Sequence, residues 1–404
     1  MQLAFFFFGA LCVAFPSGYS VSFIFLFLMA LPRLWQRAYW QGLSPEMKIL
    51  AILFVSGFLF SALATWLDHG SLKQIDRPSR LLALALMLPL ICHYQPKFSV
   101  LFSGVGVGAI IAGAIAIYEK LYLHEERAFS AIMPIQSGDI SLSLGLLSLC
   151  AFAWYYRQGL RNWVLFYAIA TIGGVAGSFL SGSRGGWILL PLLLIIWYRS
   201  FCHWYSTRLK LAIFSAITLC LLALFIPQLG VRERLQDTRS EISEFISGKN
   251  PDTSTGFRIQ LWQSAWRSFL EKPLLGWGPN SIRESQQEQF EAGKLSASAY
   301  QFNSHAHNQY LDHMAKYGLV GLGMLLALFV VPWSLGNRMA GTHEKEGADY
   351  TLLVASRLHI LATMNYCLSQ AFLNHNSGMI FYPFMVTLLL CSVQRQKPMQ
   401  LSPE

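Results

Sequence analysis

Charge is what this sequence has least of. Asp, Glu, Lys and Arg make up only 13% of its 404 residues, roughly half the share found in an ordinary soluble domain. That scarcity excludes a soluble enzyme. A formal net charge of +9 raises the question of nucleic acid, but no Lys/Arg-rich block is present. The basic residues stand singly between apolar stretches, so no nucleic-acid partner is expected and they read as topological signals. The seven cysteines lie at 12, 92, 150, 202, 220, 367 and 391, all in or beside apolar segments and without a CxxC pair. Neither a disulfide framework nor a thiolate metal site is indicated. The start, Met1-Gln2-Leu3-Ala4 followed by four phenylalanines, lacks a basic n-region, and the first Arg comes at 33. The first apolar run is therefore expected to stay as a membrane helix, not to be cleaved as a signal. There is no internal repeat and no low-complexity tract beyond the apolar runs.

What is abundant is apolar surface, with 54% hydrophobic and 14% aromatic residues. Apolar runs recur along the chain, and the expected class is an all-α, polytopic integral membrane helical bundle. A hydrocarbon core about 30 Å thick needs about 20 apolar residues as helix. Twelve candidate spans lie near 3–16, 18–32, 47–67, 79–94, 99–119, 139–156, 162–181, 186–201, 209–228, 315–335, 351–373 and 377–393. The first two and the last are short. Basic residues near span ends are held on the cytoplasmic side. With the N-terminus inside, the cytoplasmic segments collect residues such as Arg33, Arg37, Lys48, Lys97, Arg157, Arg161, Arg199, Arg208 and Lys210. The short outer segments collect Lys73, Arg77, Arg80, Lys120, Arg127 and Arg184, about half the cytoplasmic number. Both termini are expected inside.

This divides the chain into helices 1–9 over 1–228, one large, partly helical loop over 229–314 on the outer side, and helices 10–12 with a cytoplasmic tail over 315–404. The loop is the only polar stretch large enough to hold structure of its own. Val231 to Asn250 alternates charges at helical spacing and ends at Gly248. The turn-rich Asn250–Gly256 segment offers N-caps for a second helix over about 257–270. Ile259, Trp262, Trp266 and Phe269 form one apolar stripe on that helix, expected on the membrane surface or the bundle. Pro273-Leu274-Leu275-Gly276-Trp277-Gly278-Pro279-Asn280 reads as a tight turn.

Four polar features converge on the outer side. Ser181-Gly182-Ser183-Arg184-Gly185-Gly186-Trp187 combines small residues, which permit close approach, with an Arg that offers a bidentate fork to phosphate or carboxylate. A tight turn with a snorkelling Arg explains it equally well. Arg258 opens the second loop helix one turn before Trp262, and its alternative is a solvated or cation–π-stacked Arg. Arg267 and Lys272 nearby counsel the same caution, and an anionic headgroup calls for a pair of cations. His305, His307 and His313, with Asn308 and Asp312, supply groups that accept a proton near neutral pH. A structural cluster or a metal site are the alternatives, though the spacing is neither HExxH nor a carboxylate-rich cage, and His124-Glu125-Glu126 does not complete one. Asn374-His375-Asn376-Ser377-Gly378 is explained by helix capping or by direct function. Arg357 and His359, inside the eleventh span, should face the bundle interior in a structural or headgroup role.

At these residues the chain resembles the O-antigen ligase and polymerase superfamily of polytopic bacterial inner-membrane proteins with one large periplasmic loop. Arg258 through Asn280, with its Arg-x-x-x-Trp helix and Pro-Leu-Leu-Gly-x-Gly-Pro turn, looks like the family's loop signature. His307-Asn308, nine further residues and Gly318-Leu319-Val320-Gly321 look like the ligases' histidine motif. Ser-x-Ser-Arg-Gly at 181–185 looks like their earlier arginine turn. The resemblance covers most of the chain in topology and rests on three motifs in order on one membrane face.

What it implies is glycosyl transfer on the periplasmic face, from an undecaprenyl-diphosphate-linked O-antigen donor to a lipid A–core acceptor. Arg184 and Arg258 correspond to the arginines that engage the donor diphosphate. His307 corresponds to the histidine that activates the acceptor hydroxyl, with His305, Asn308 and His375 as supporting residues. Spacing alone leaves His305 and His307 interchangeable as base; the motif match favours His307. The weak sugar nucleophile gains from a base, and two guanidiniums can stabilise the leaving diphosphate, so neither metal nor cofactor is expected. A single displacement would invert the anomeric carbon. Related polymerases and protein O-oligosaccharyltransferases share the donor, and a lipid-linked glycan flippase would bind it without chemistry. The single large outer loop favours a ligase over a polymerase. The absence of paired broken helices at mid-membrane in two matching halves speaks against a transporter.

Overall fold

A computed structural model describes residues 1–223, 231–247, 249–302, 305–340 and 346–393. Among them the chain is helical, without strands. The helices are α1 (Gln2–Leu11), α2 (Gly18–Ala30), α3 (Arg37–Gln41), α4 (Pro45–Leu67), α5 (Ser79–Tyr94) and α6 (Phe98–Leu121). They continue with α7 (Pro134–Arg157), α8 (Arg161–Leu180), α9 (Leu190–Phe201), α10 (Thr207–Ala223), α11 (Val231–Ile246) and α12 (Ser254–Glu271). The last are α13 (Ile282–Glu291), α14 (Ala297–Gln301), α15 (Gln309–Ala340), α16 (Ala348–Ser369) and α17 (Asn376–Val393). Gly248, the expected end of the first loop helix, lies outside the described residues, as do the last part of the 209–228 stretch and the tail from 394.

The expected twelve spans are not supported. Six described helices, α4, α6, α7, α8, α15 and α17, are long and apolar enough to cross a membrane. The reason is length: at 1.5 Å per residue the 10, 13 and 12 residues of α1, α2 and α9 reach at most about 20 Å, short of the roughly 30 Å core. The 22-residue α16 is long enough but carries Asp349, Arg357 and His359. It can do so because its neighbours α7, α15 and α17 cover it. Ser356, His359, Thr363 and Asn365 are all buried there. With its six apolar helices the chain is a multi-pass helical membrane protein.

The centre of the bundle is α7, whose buried residues include Gln136, Asp139, Ser141 and Ser143. Backbones approach closely around it: a Cβ added to Gly174 of α8 would lie 2.6 Å from the Cα of Gly145, the small-residue contact typical of membrane helix pairs. The cysteine expectation needs one correction, since Cys92 of α5 and Cys391 of α17 are joined as a disulfide. Residues 299 positions apart carry no spacing signal that could announce such a pair.

In the polar segment α12 forms as expected, with Thr253 Oγ1 accepting a hydrogen bond from the Gly256 N–H at 3.1 Å. Its buried face is not the tryptophan stripe. Gln260, Leu261, Ser264, Ala265, Ser268 and Phe269 are buried, and Trp266 and Leu270 remain exposed at 46% and 59%. Small side chains let α12 lie close against α15, with Phe269 of the stripe turned inward and Trp266 turned outward.

Candidate functional site

The site is built on the break between the polar segment and α15. Asn308 caps the helix, its Oδ1 accepting from the N–H groups of Tyr310 (3.0 Å) and Leu311 (3.1 Å), as an Asn at this position should. Its Nδ2 donates to the Leu368 carbonyl at 3.0 Å, which ties the start of α15 to the end of α16. Buried Gln309 continues the tie, donating to Asn374 Oδ1 at 2.9 Å and accepting from the Leu373 N–H at 2.9 Å. Asp312 accepts from the Ala306 N–H (3.1 Å), Asn374 Nδ2 (2.8 Å) and Lys316 Nζ (2.9 Å). Residues 305–316 and 368–375 are thus one hydrogen-bonded unit.

Three histidine rings meet on that unit. His305 lies 4.5 Å from His307 and 5.6 Å from His375, centroid to centroid, and Phe302 stacks on His307 at 5.1 Å. The hydrogen bonds distinguish their nitrogens. Nδ1 of His305 accepts from the His307 backbone N–H at 3.1 Å, so in the neutral ring its proton is on Nε2. Nδ1 of His307 lies 3.0 Å from Gln370 Oε1. That oxygen also receives the Ala371 N–H at 3.2 Å, which fixes the amide's orientation, because only oxygen can accept. Nδ1 of His307 is therefore the donor, and its Nε2 is left with a lone pair. The Gln370 amide nitrogen faces His375 Nε2 at 3.4 Å.

Burial is the main cause that lowers the pKa of all three: His305 to about 3, with His307 as the next cause, and His375 to about 4, with Arg77 next. His307 is also lowered by burial, opposed by the Gln370 hydrogen bond and assisted by the charge of Arg258. All three rings are neutral at neutral pH. Backbone strain marks the same spot, with His307 at φ 50°, a left-handed conformation that non-glycine residues adopt rarely.

The arginine turn reaches this unit from the other side. Ser183 Oγ donates to the buried Asp139 Oδ1 at 2.9 Å, and Asn365 Nδ2 donates to the Gly186 carbonyl at 2.6 Å. Gly185 sits so close to Ser369 that a Cβ would fall 1.7 Å from its Oγ, one residue before Gln370. Arg184 itself is exposed. Arg127 donates from Nε to the Ser181 carbonyl at 2.9 Å. Arg258 is surface-accessible, yet partial desolvation and then the charge of Arg127 lower its pKa. Neither Arg184 nor Arg258 makes a hydrogen bond or ion pair with the described residues. Lys272, by contrast, stacks on Trp277 at 3.6 Å, and Arg267 donates to the Lys294 carbonyl at 3.2 Å.

His305, His307 and His375 are brought together, Asn308 proves to be a helix cap, Arg258 acts electrostatically on His307, and the Arg184 turn leans on the same segment. His313 stands apart, one turn into α15, with Nδ1 3.0 Å from Gln309 Nε2. Sequence reasoning missed three participants. Arg127 was counted only as a topological charge, Gln370 lies within the stretch assigned to an apolar span, and Asp139 falls at the expected start of one. An ionisable residue in an apolar run was the available signal for Asp139; nothing local announces Gln370.

The glycine motifs interlock. Trp277 and Gly278 donate from their N–H groups to the Ala315 (3.0 Å) and Lys316 (2.8 Å) carbonyls, and Leu319 donates to the Pro273 carbonyl at 2.8 Å. Gly318, at φ 61° inside α15, would place a Cβ 2.3 Å from the Leu274 carbonyl oxygen. Only glycine fits there. Asp68, at the end of α4, holds the same turn by accepting from the N–H groups of Asn280 and Ser281 and from Ser281 Oγ. Among the described residues no group of three His, Cys, Asp or Glu side chains is placed to hold a metal ion.

The bundle thus holds a histidine cluster close to guanidiniums that have no partner among the described residues. Residues 169–326 match the family described as O-antigen ligase, a stretch that contains Arg184, Arg258, His307 and both glycine motifs. An uncharacterized protein of Haemophilus influenzae is 30% identical over 379 residues, covering 94% of each chain. The chain belongs to the O-antigen ligase superfamily, whose members are membrane glycosyltransferase-like ligases and polymerases.

Proposed function

We propose that the protein is an O-antigen ligase of the bacterial inner membrane. It transfers O-antigen glycan from undecaprenyl diphosphate to lipid A–core, with the polar segment and the histidines on the periplasmic face. The observation that carries this reading is His307 Nε2, a ring nitrogen whose lone pair has no partner among the described residues, beside the charge of Arg258. His305 Nδ1 is already occupied by a backbone N–H, which supports His307 and not His305 as base.

In the reaction the acceptor hydroxyl oxygen attacks the donor's anomeric carbon as its proton passes to His307 Nε2. The bond from that carbon to the diphosphate oxygen breaks, and the lipid diphosphate leaves with the electron pair. Arg184 and Arg258, with Arg127 behind them, stabilise the charge that develops on the leaving oxygens. The displacement is a single step and inverts the anomeric configuration; a product that retains the donor's configuration would contradict it. Neutral histidines suit this role, because a base must be unprotonated before the hydroxyl reacts.

The test is reconstitution of the purified protein with lipid A–core and undecaprenyl-diphosphate glycan in EDTA, read by gel shift. Wild type should form product and His307→Ala should not. Full product from His307→Ala would end the base assignment. Growth of the donor chain without transfer to lipid A–core would make the protein a polymerase.

A further inference from the structure

A cleft of about 220 Å³ lies on the far side of Asp312 from the histidines. One half of its wall is apolar, formed by Phe60, Leu81 and Met324; the other half is polar and cationic, with Gln74, Arg77 and Lys316. Two helices that contribute to it, α4 and α15, are among those apolar and long enough to cross a membrane. Phe60 and Met324 of the apolar half stand on these two helices.

The charges of the polar half are not balanced within the protein. Lys316 is paired with Asp312 at 2.9 Å. Asp76, the acid next to Arg77, is instead engaged by Arg80 at 2.6 Å. Arg77 makes no hydrogen bond or ion pair with the described residues, and Gln74 Oε1 is buried there without a hydrogen-bond partner. An unneutralised guanidinium above an apolar wall fits a phosphate joined to an acyl chain. The cleft also shares Asp312 and Lys316 with a smaller cavity that reaches His305, so it adjoins the histidines without including the arginines at 127, 184 and 258.

We propose that this cleft holds the lipid end of a phosphorylated acceptor, with Arg77 on a phosphate and Phe60, Leu81 and Met324 against an acyl chain. The inference rests on the transfer reaction proposed above, which needs two lipid substrates to flank one base. The donor diphosphate is bound by the arginines on the other side.

Binding without turnover separates this inference from the reaction. In detergent, radiolabelled bis-phosphorylated lipid A is titrated against His307→Ala protein, alone and combined with Arg77→Gln or with Ser61→Phe, which fills the cleft. Arg77→Gln should weaken binding about tenfold, and removing the lipid's phosphates should remove that difference. Ser61→Phe should weaken binding of both forms. In the active protein, Arg77→Gln should raise the acceptor KM about tenfold and leave the donor KM unchanged. Wild-type-like binding by both cleft variants would overturn the proposal, as would equal displacement of lipid A by phosphatidylglycerol. A rise in the donor KM in place of the acceptor KM would overturn it too. Inactivity of the wild-type enzyme would be a failure of the transfer reaction and not of the cleft.

Discussion

Replacing Gln370 by Glu puts a carboxylate where an amide oxygen now stands, 3.0 Å from His307 Nδ1. An opposite charge at that distance favours the imidazolium and raises a histidine pKa by about 1–3 units. Arg258 lies close enough to His307 to lower its pKa and would draw off part of the new charge's effect, so about 1–2 units is the expected shift. The sign follows from which form works. The base is the neutral ring, so the rate rises as pH rises through the His307 pKa, and raising that pKa moves the acid limb of kcat to higher pH. On the acid side the variant should be slower than wild type by about tenfold for each unit of pKa shift. Gln370→Met tests the same contact in the opposite sense. It removes the hydrogen bond that now raises the His307 pKa, so the acid limb should move to lower pH. It also frees the ring to take the wrong tautomer, which should lower kcat about tenfold. Initial rates between pH 4.5 and about 9, at saturating donor and acceptor, would show both limbs. If the two variants share the wild-type limb, Gln370 does not set the protonation of the base. If both move the same way, the Gln370 hydrogen bond does not raise the His307 pKa, and an undiminished plateau kcat in Gln370→Met would end the tautomer argument.

Other consequences can be checked separately. Arg258→Ala and Arg184→Ala should each lower kcat/KM for the donor by about 10²–10³, the usual effect of losing one donor to a developing anion; donor titrations read it. Gly318→Ala meets the Leu274 carbonyl oxygen at 2.3 Å and a disfavoured φ, so it should destabilise by more than about 1 kcal/mol and lower the melting temperature in detergent. Asp68→Ala frees the N–H groups of Asn280 and Ser281, at a cost of about 1–3 kcal/mol, and hydrogen exchange over 273–281 should quicken while α17 is unaffected. Asn308→Ala removes a cap worth about 1 kcal/mol and should cut activity more than stability, because the residue before it is His307.

The helical class and the capped start of α12 could be read from residue types and spacing, but the histidine group only in part: spacing joined His305 and His307 to His313, whereas His375 takes that place in the structure. Each depends on local rules or on motifs that keep their order along the chain. The count of membrane spans was not legible, because hydropathy measures the cost of transfer and not whether a helix is continuous for 20 residues. The stretches at 3–16 and 186–201 are apolar enough but are cut short by turns at Thr-free, Gly- and Pro-containing junctions such as Pro16-Ser17-Gly18. The tryptophan stripe divides between the two settings expected of it, with Phe269 buried and Trp266 exposed. In a membrane protein an apolar face does not need burial by protein, so the small polar face of α12 could take the packing role. Arg127 and Gln370 were invisible because their partners, Ser181 and His307, lie 54 and 63 residues away.

The break at Gly318 divides α15 into two working lengths. Its 32 residues would span about 48 Å as one rod, far more than the bilayer core. Beyond the glycine the helix packs against α16 and α17 within the bundle. Ahead of the glycine, the post that carries Asn308 and Asp312 is clamped to the Pro273–Asn280 turn and to residues 368–375. The expected consequence is a joint at Gly318 that holds the His307 end of α15 fixed to its clamps while the rest of the helix follows the bundle. Rates in bilayers of increasing acyl length should accordingly vary little for wild type, and a steep thickness dependence would show that the joint is rigid.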